Sequence, residues 1–474
     1  MQHNLIEAIR SKQWYRHGIY RDTFVFAVEV ALGLSKTFFA KEDIPEGVEH
    51  YAQLNSEVFV VEEEFKEMEK LYYDHIANDP HYIHWYLETY RADLANCLKE
   101  CARFATFNYS KLPKKELAVL YGEFVLSIRE LHHWLWSMEF FNSAFDWYVR
   151  DVLKTNYTDW SQSEIDAFLK DISYINVLLP FQEEEKAIIS NDNINTVSPL
   201  YQKYAWMNMH LLDGEPYTLD QYKQHAREIF AKRKEIAKRL KENEQLAALA
   251  VKKTALCPEK IQKLLRFVQE LIYLKTYRID VYTLAAYKSL ELRREITKRL
   301  HLTLCELNQL ELAEVVKLLQ GKNIAKGLTQ RDKYAVVKID DELTITFDRS
   351  EIAEIRASLE KSVTTVHVKG NTAHGGKVRG KARVILTDRE IHKVQQGEIL
   401  VCNLTNPDYN PVFDKIAGLI TDEGGILCHS AIMAREFKIP CIIGTKNATY
   451  AIKDGDEIEL DADAGIARIL DPKK

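Results

Sequence analysis

The chain has 474 residues, of which 46% are hydrophobic, 28% charged and 11% aromatic, a composition that folds into several domains and excludes a disordered chain. A net charge of -6 argues against a nucleic-acid partner, and the longest apolar run, 24–34, is interrupted by Glu29 and too short to span a bilayer. No apolar export segment opens the chain and the seven cysteines are scattered, which together predict a cytoplasmic protein with reduced thiols.

In chain order, the first part reads as helix after helix. Segments 61–78, 115–153, 219–253 and 258–304 repeat apolar residues at three- and four-residue spacing, with charges on the opposite face. Thr218 or Asp220 is suited to cap the third, and Pro258 to sit in the first turn of the fourth. Stretches this long are expected to contain a break. Residues 335–348 read as a hairpin turning at Asp340-Asp341.

Composition changes near residue 365. Only seven of the 18 glycines precede it, while four aromatics (Tyr409, Phe413, Phe437 and Tyr450) follow it. Glycines between short β-branched runs point to a compact α/β domain. Strands are expected at 381–386, 398–403, 417–421, 440–444, 456–460 and 466–470. A helix capped by Thr387 and ended by Gly397 is expected after the first strand, and a second from Ser430 to Phe437. The expected architecture is thus multidomain, α and α/β: a large all-α domain over 1–364 with a small hairpin, then a β/β/α domain over 365–474.

The stretch with chemical content is TDEGGILCHSAIMAREFKIPCIIGT, 421–445. A strand ends, Gly424-Gly425 turns the chain, and His429 begins a helix. The positive end of a helix disfavours imidazolium and keeps the ring nucleophilic. The free amides there suit a phosphoryl group carried on that ring. Side-chain-free glycines allow a bulky partner to approach.

These residues resemble the phosphohistidine (swivelling, mobile) domain of enzymes that use phosphoenolpyruvate, among them phosphoenolpyruvate synthase, pyruvate phosphate dikinase and rifampicin phosphotransferase. The residues that carry the resemblance are Gly424, Gly425, His429, Ile432, Ala434, Arg435, Glu436, Ile439, Pro440 and Gly444, with GNTAHGGKVRGKARVI (370–385), TNPDYNP (405–411) and KDGDEIELDADAGIARIL (453–470) around them. It implies that His429 is the phosphorylated residue, supported by Gly424, Gly425, Thr405 and Arg435. Arg435 suits an ion pair within the domain equally well. Three positions depart from the pattern: Leu427 replaces a threonine, Cys428 a serine and Ser430 an alanine. Loss of the threonine removes the control by phosphorylation that plant dikinases use.

Other motifs are discounted. GGKVRGK (375–381) lacks the final Ser or Thr of a P-loop and precedes a strand. Cys97 and Cys101 share a helix face without a second ligand pair, and His132-His133 lack the spacing of a helical zinc site, so no metal site is assigned.

Residues 262–334 resemble the helical segment that precedes this domain in rifampicin phosphotransferases and related synthases, where the helical region binds the phosphoryl acceptor. The resemblance makes Trp85, Trp134, Trp136, Arg278 and Tyr282 candidates for a substrate pocket, although aromatic stripes at helical spacing also build cores. Neither a glycine-rich nucleotide domain nor a pyruvate-binding barrel is visible in the sequence. The expected protein is therefore a phosphotransferase component that binds no cofactor alone. An ATP-grasp subunit with ATP and Mg2+ would load His429 in trans, and the small domain would swing on a linker near 349–368 toward a small-molecule acceptor held by the helices. The alternative is a non-catalytic binding or regulatory module that docks through the swivelling domain.

Overall fold

A computed structural model describes residues 2–19, 24–44, 47–79, 81–191, 197–209, 212, 214–324, 328, 331, 333–340, 342–360, 367–386, 388–405, 409, 412–424 and 428–471. The chain divides into two compact units. One comprises Met1–Arg21, Glu49–Lys66 and Lys333–Lys474, the other Asp22–Val48 and Glu67–Asp332.

Among the described residues, every regular element of the second unit is a helix. Its longest helix, Lys114–Asn156, runs unbroken for 43 residues, about 65 Å at 1.5 Å per residue. The apolar run of the sequence becomes the buried helix Phe24–Gly33. Its one carboxylate, Glu29, is paired with Arg129, whose Nη2 lies 3.0 Å from Oε1. The break expected in the longest stretches is absent from 115–153, and the other two each break at a single residue that is neither proline nor glycine. Leu219–Ala231 is separated from Arg233–Ala255 at Lys232, and Glu259–Lys288 from Leu290–Leu300 at Ser289. Ser289 turns its hydroxyl back onto the Ala286 carbonyl at 3.0 Å, a side-chain bond that competes with the helix ladder. Thr218 caps as expected, its Oγ1 accepting from the Gln221 amide at 3.3 Å. Pro258 sits one position earlier than expected, as the N-cap residue.

The first unit contains two sheets. Strands β1 (Trp14–Ile19), β2 (His50–Leu54), β3 (Glu57–Val61), β4 (Ala335–Ile339) and β5 (Glu342–Thr346) form an antiparallel sheet in the order β1-β3-β2-β4-β5. The expected hairpin is β4 and β5; Asp341 lies outside the described residues. The region before 365 is therefore not helical throughout: three further strands pair with that hairpin. The β2–β4 pairing also joins residues 50–54 to 335–339, so the compositional boundary at 365 falls inside one compact unit. Helices Gln2–Arg10 and Arg349–Glu360 cover one face, burying Ile6, Ile9, Ile352, Ile355 and Leu359 against alternate residues Ala52, Leu54, Phe59, Val61, Ala335 and Val337. The period of two is that of a half-buried strand. Most of the expected linker, 349–360, is thus a helix anchored on this sheet.

The second sheet holds β6 (His367–Lys369), β7 (Asn371–His374), β8 (Lys377–Ile385), β9 (Ile399–Cys402), β10 (Gly418–Thr421), β11 (Cys441–Ile443), β12 (Glu457–Asp461) and β13 (Ile466–Asp471), in the order β6-β13-β12-β8-β9-β10-β11-β7. Strands β8 to β11 are parallel and the rest antiparallel. The two edge strands are consecutive in sequence, joined at Gly370, so the sheet curls toward closure like a barrel. A Cβ at Gly370 would lie 2.7 Å from the Ile443 carbonyl oxygen. All six expected strands are present. The helix expected after the first of them is a 3-10 turn, Asp388–Lys393, and its expected cap, Thr387, lies outside the described residues.

Candidate phosphohistidine site

Strand β10 ends at Thr421, at the carboxyl edge of the parallel strands, where open α/β sheets place their ligands. The chain then passes through Asp422, Glu423 and Gly424. Gly425 and Leu427 lie outside the described residues. His429 is the first residue of the helix His429–Phe437; the backbones of His429 and Arg435 are described, their side chains are not. The ring nitrogens of His429 are therefore carried by a residue at a helix start, as expected. Helix-end partial charge favours neutral imidazole there and attracts an anionic group.

The helix is fastened from both sides. Cys428 is the capping residue, its Sγ accepting from the Ala431 amide at 3.4 Å. Ser430 is fully buried. Its Oγ lies 2.8 Å from the Thr405 Oγ1 and accepts from the Thr405 amide at 3.2 Å. Thr405, the predicted support residue, thus ties the loop after β9 to the helix start, and it does so through one of the three positions that depart from the family pattern. Ala431, Ala434 and Ile439 bury the helix against Leu419, Cys441 and Phe413. Gly424 has a φ of +119°, and a Cβ there would lie 2.6 Å from the Cys428 sulfur. Alanine is excluded by backbone strain and by contact.

Asp422 holds the loop from below and was not singled out in the sequence. It is 3% exposed. Its Oδ1 accepts from the Thr445 hydroxyl at 2.9 Å and from the Ala448 amide. Its Oδ2 accepts from the Thr449 amide at 3.2 Å and from the Thr449 hydroxyl. Burial pushes this carboxyl above its ordinary pKa, against the hydrogen bonds from Thr449 and Thr445 and the charge of Arg16. The only local signal for such a residue is an aspartate between a strand end and a glycine turn.

The helical candidates lie elsewhere. Trp134, Trp136, Arg278 and Tyr282 are buried, and Trp85 is 37% exposed. The Trp134 indole N–H donates to Asp93 at 2.9 Å. Arg278 donates to the Leu135 carbonyl at 3.2 Å and to Glu139 at 3.0 Å. Rings stack on rings, as with Tyr86 and Phe141 at 3.7 Å between centroids. Around these four the structure shows packed core, with their polar atoms mostly committed inside the chain. The Tyr282 hydroxyl is buried with no hydrogen-bond partner among the described residues.

One cluster brings metal-ligand atoms together: Glu49, His50 and Glu64, within 4.8 Å of one another. The Glu64 carboxylate there accepts from the amides of Glu49 and His50, each at 3.1 Å, and from the His50 ring. It clasps the start of β2. The dismissed P-loop look-alike runs into β8, a strand, as expected. Among the described residues, no helix is long and apolar enough to cross a membrane.

With this geometry in view, comparison with known proteins is direct. Residues 394–465 match the family described as PEP-utilising enzyme, mobile domain, a span that includes the Asp422 loop and His429. A probable phosphoenolpyruvate synthase of Archaeoglobus fulgidus is 41% identical over 123 residues, 26% of this chain and 16% of that protein. A phosphoenolpyruvate synthase of Pyrococcus furiosus is 37% identical over 161 residues, 33% of this chain and 20% of that protein. The chain therefore spans a fifth or less of these curated relatives. Among solved structures, the holo-form of Thermococcus kodakaraensis aconitase X aligns with 22% of this chain and 98% of its own, at 23% identity and a TM-score of 0.18.

Proposed function

We propose that this chain is the carrier component of a phosphotransferase in which His429 takes a phosphoryl group from a nucleotide-binding ATP-grasp partner and passes it to a small-molecule acceptor. The observation that carries the reading is the histidine at the first position of a nine-residue helix, inside a segment that matches the mobile domain of PEP-utilising enzymes. In the loading step a ring nitrogen forms a P–N bond as the P–O bond to the donor's leaving group breaks. In the second step an acceptor oxygen attacks phosphorus and the P–N bond breaks, returning neutral histidine. Splitting the transfer in two lets each half be positioned separately. ATP and Mg2+ belong to the partner, and the acceptor to the helical unit. Support for a donor in trans comes from that unit, whose described residues form helices and no strand.

Labelling tests this reading. The purified chain is incubated with β-labelled or γ-labelled ATP, with and without extract of the source cells. Acid-labile label that requires extract and disappears in His429→Ala is the expected result. Absence of label under every condition favours the other reading, a non-catalytic docking module.

A further inference from the structure

Arg16, on β1, is only 9% exposed and makes contacts on two sides. Its Nη1 donates to Glu57 on β3 at 3.1 Å. Glu57 in turn receives Arg356, from the Arg349–Glu360 helix, at 2.6 Å. The other arm, Nη2, donates to the Thr449 hydroxyl at 2.6 Å. That hydroxyl in turn donates a hydrogen bond to Asp422. The guanidinium also lies 5.6 Å from the centre of the Tyr450 ring. A continuous polar chain therefore runs from Arg356 through Glu57, Arg16 and Thr449 to Asp422. It begins on the helix that covers the five-stranded sheet, crosses β3 and β1, and ends in the loop that leads to His429, all within one compact unit.

Two features make this chain more than surface decoration. Its members are buried or half-buried, where a charged hydrogen bond is worth more than at an exposed site. The covalent connection is also short: the helix on the first sheet ends at Glu360, and the second sheet begins at His367. Any movement of residues 367–471 away from the five-stranded sheet must break the bond between Arg16 and Thr449 and withdraw Tyr450 from the guanidinium. The planar fork of arginine suits it to grip Glu57 with one arm and Thr449 with the other; a lysine presents all its donors from a single nitrogen and does not reproduce this two-armed geometry.

We propose that Arg16 is the latch that parks the mobile domain on the five-stranded sheet, gripping the His429 loop through Thr449 and Asp422. Release of this latch precedes each excursion of the phosphohistidine. The proposal rests on the reading of this domain as a moving carrier. It assigns to an N-terminal strand, remote in sequence from the site, control over how often that carrier is free.

The test uses the full chain with two dyes on non-natural residues at exposed positions, Glu342 on the five-stranded sheet and Lys415 on the mobile domain, read by single-molecule energy transfer. Thr449→Val removes the acceptor oxygen and leaves the pair of Arg16 with Glu57 in place. Arg16→Lys shortens the reach while keeping the charge. The wild type is expected to show mainly one distance. Both variants are expected to raise the share of a second distance by roughly tenfold to a hundredfold, the worth of one hydrogen bond to a charged group. Circular dichroism of each variant confirms that the fold is kept. A second distance equally populated in all three proteins overturns the latch and leaves the moving carrier standing. A single distance in all three overturns the latch and counts against the moving carrier as well.

Discussion

Asp422→Asn is the most informative single change near the site. The two oxygens of Asp422 face different donors and share one, the Thr449 amide, which reaches Oδ1 at 3.3 Å and Oδ2 at 3.2 Å. Oδ1 takes the Thr445 hydroxyl and the Ala448 amide, and Oδ2 takes the amide and hydroxyl of Thr449. Asparagine keeps the shape but must turn its NH2 toward one side; the threonine hydroxyl there can turn to accept, whereas the backbone amide, of Ala448 or of Thr449, then faces a donor. A hydrogen bond to a charged acceptor contributes about 1.5–3 kcal/mol, and a buried donor left unpaired costs about 1–3 kcal/mol. Relief from burying a charge offsets part of this, leaving a net loss of about 3 kcal/mol. For a unit of about 150–250 residues that lowers the unfolding midpoint by about 6–12 °C. Differential scanning calorimetry of the full chain reads it directly, as the downward shift of one transition. The loop that leads to His429 loses its anchor, so phosphoryl uptake falls as well. A transition within about 1 °C of wild type would refute the reasoning, since the carboxylate would then not be what holds the loop.

Two further outcomes follow from local geometry. Gly424→Ala must place a side chain at a φ of +119° and 2.6 Å from the Cys428 sulfur, at a cost of about 1–3 kcal/mol in the loop. Phosphoryl uptake at His429 should fall at least tenfold while far-ultraviolet dichroism is unchanged, and the double variant with Cys428→Ala should recover only the part due to contact; normal uptake in the single variant would contradict this. His132→Leu concerns the helical unit. Both ring nitrogens of His132 are buried without a hydrogen-bond partner among the described residues, and burial, with the charge of Arg129, pushes its pKa down to about 3. Because the folded value lies below the unfolded one, the unfolded chain binds the proton first as pH falls. The wild type therefore loses up to about 1.4 kcal/mol of stability per pH unit between about 6.5 and 3 from this residue, and the leucine variant does not. Urea midpoints measured from pH 7 down to pH 4 should fall less steeply in the variant; identical slopes would rule the account out.

Much of the mobile domain could be read from the sequence because its signals are local. Runs such as EILVC and AGLIT are β-branched and flanked by glycine or polar turns, and each became a strand. Strands β6 and β7 escaped because they are three and four residues long and NTAH has no apolar alternation. The five-stranded sheet was hidden for another reason. HYAQL in β2 is polar at several positions, which masked its hairpin with the adjacent β3, and its other partner β4 lies far along the chain, so nothing nearby announces that second pairing. The helix breaks at Lys232 and Ser289 were invisible because neither residue is a breaker by type. At the site, the helix that starts at His429 was legible because the pattern around it is dense. Asp422 was not, because its value lies in donors from 445–449 that only the fold brings near. Arg16 had no local signal at all. Glu29 was visible as an anomaly in an apolar run, while its partner Arg129 was not.

The most direct test of the central claim is mass spectrometry of the loaded chain, digested and separated at neutral pH with electron-based fragmentation so that the P–N bond survives. The account predicts one added phosphoryl group, placed on His429 by the fragment series and absent from His429→Ala. A phosphoryl group on any other residue, or its persistence in that variant, would contradict it.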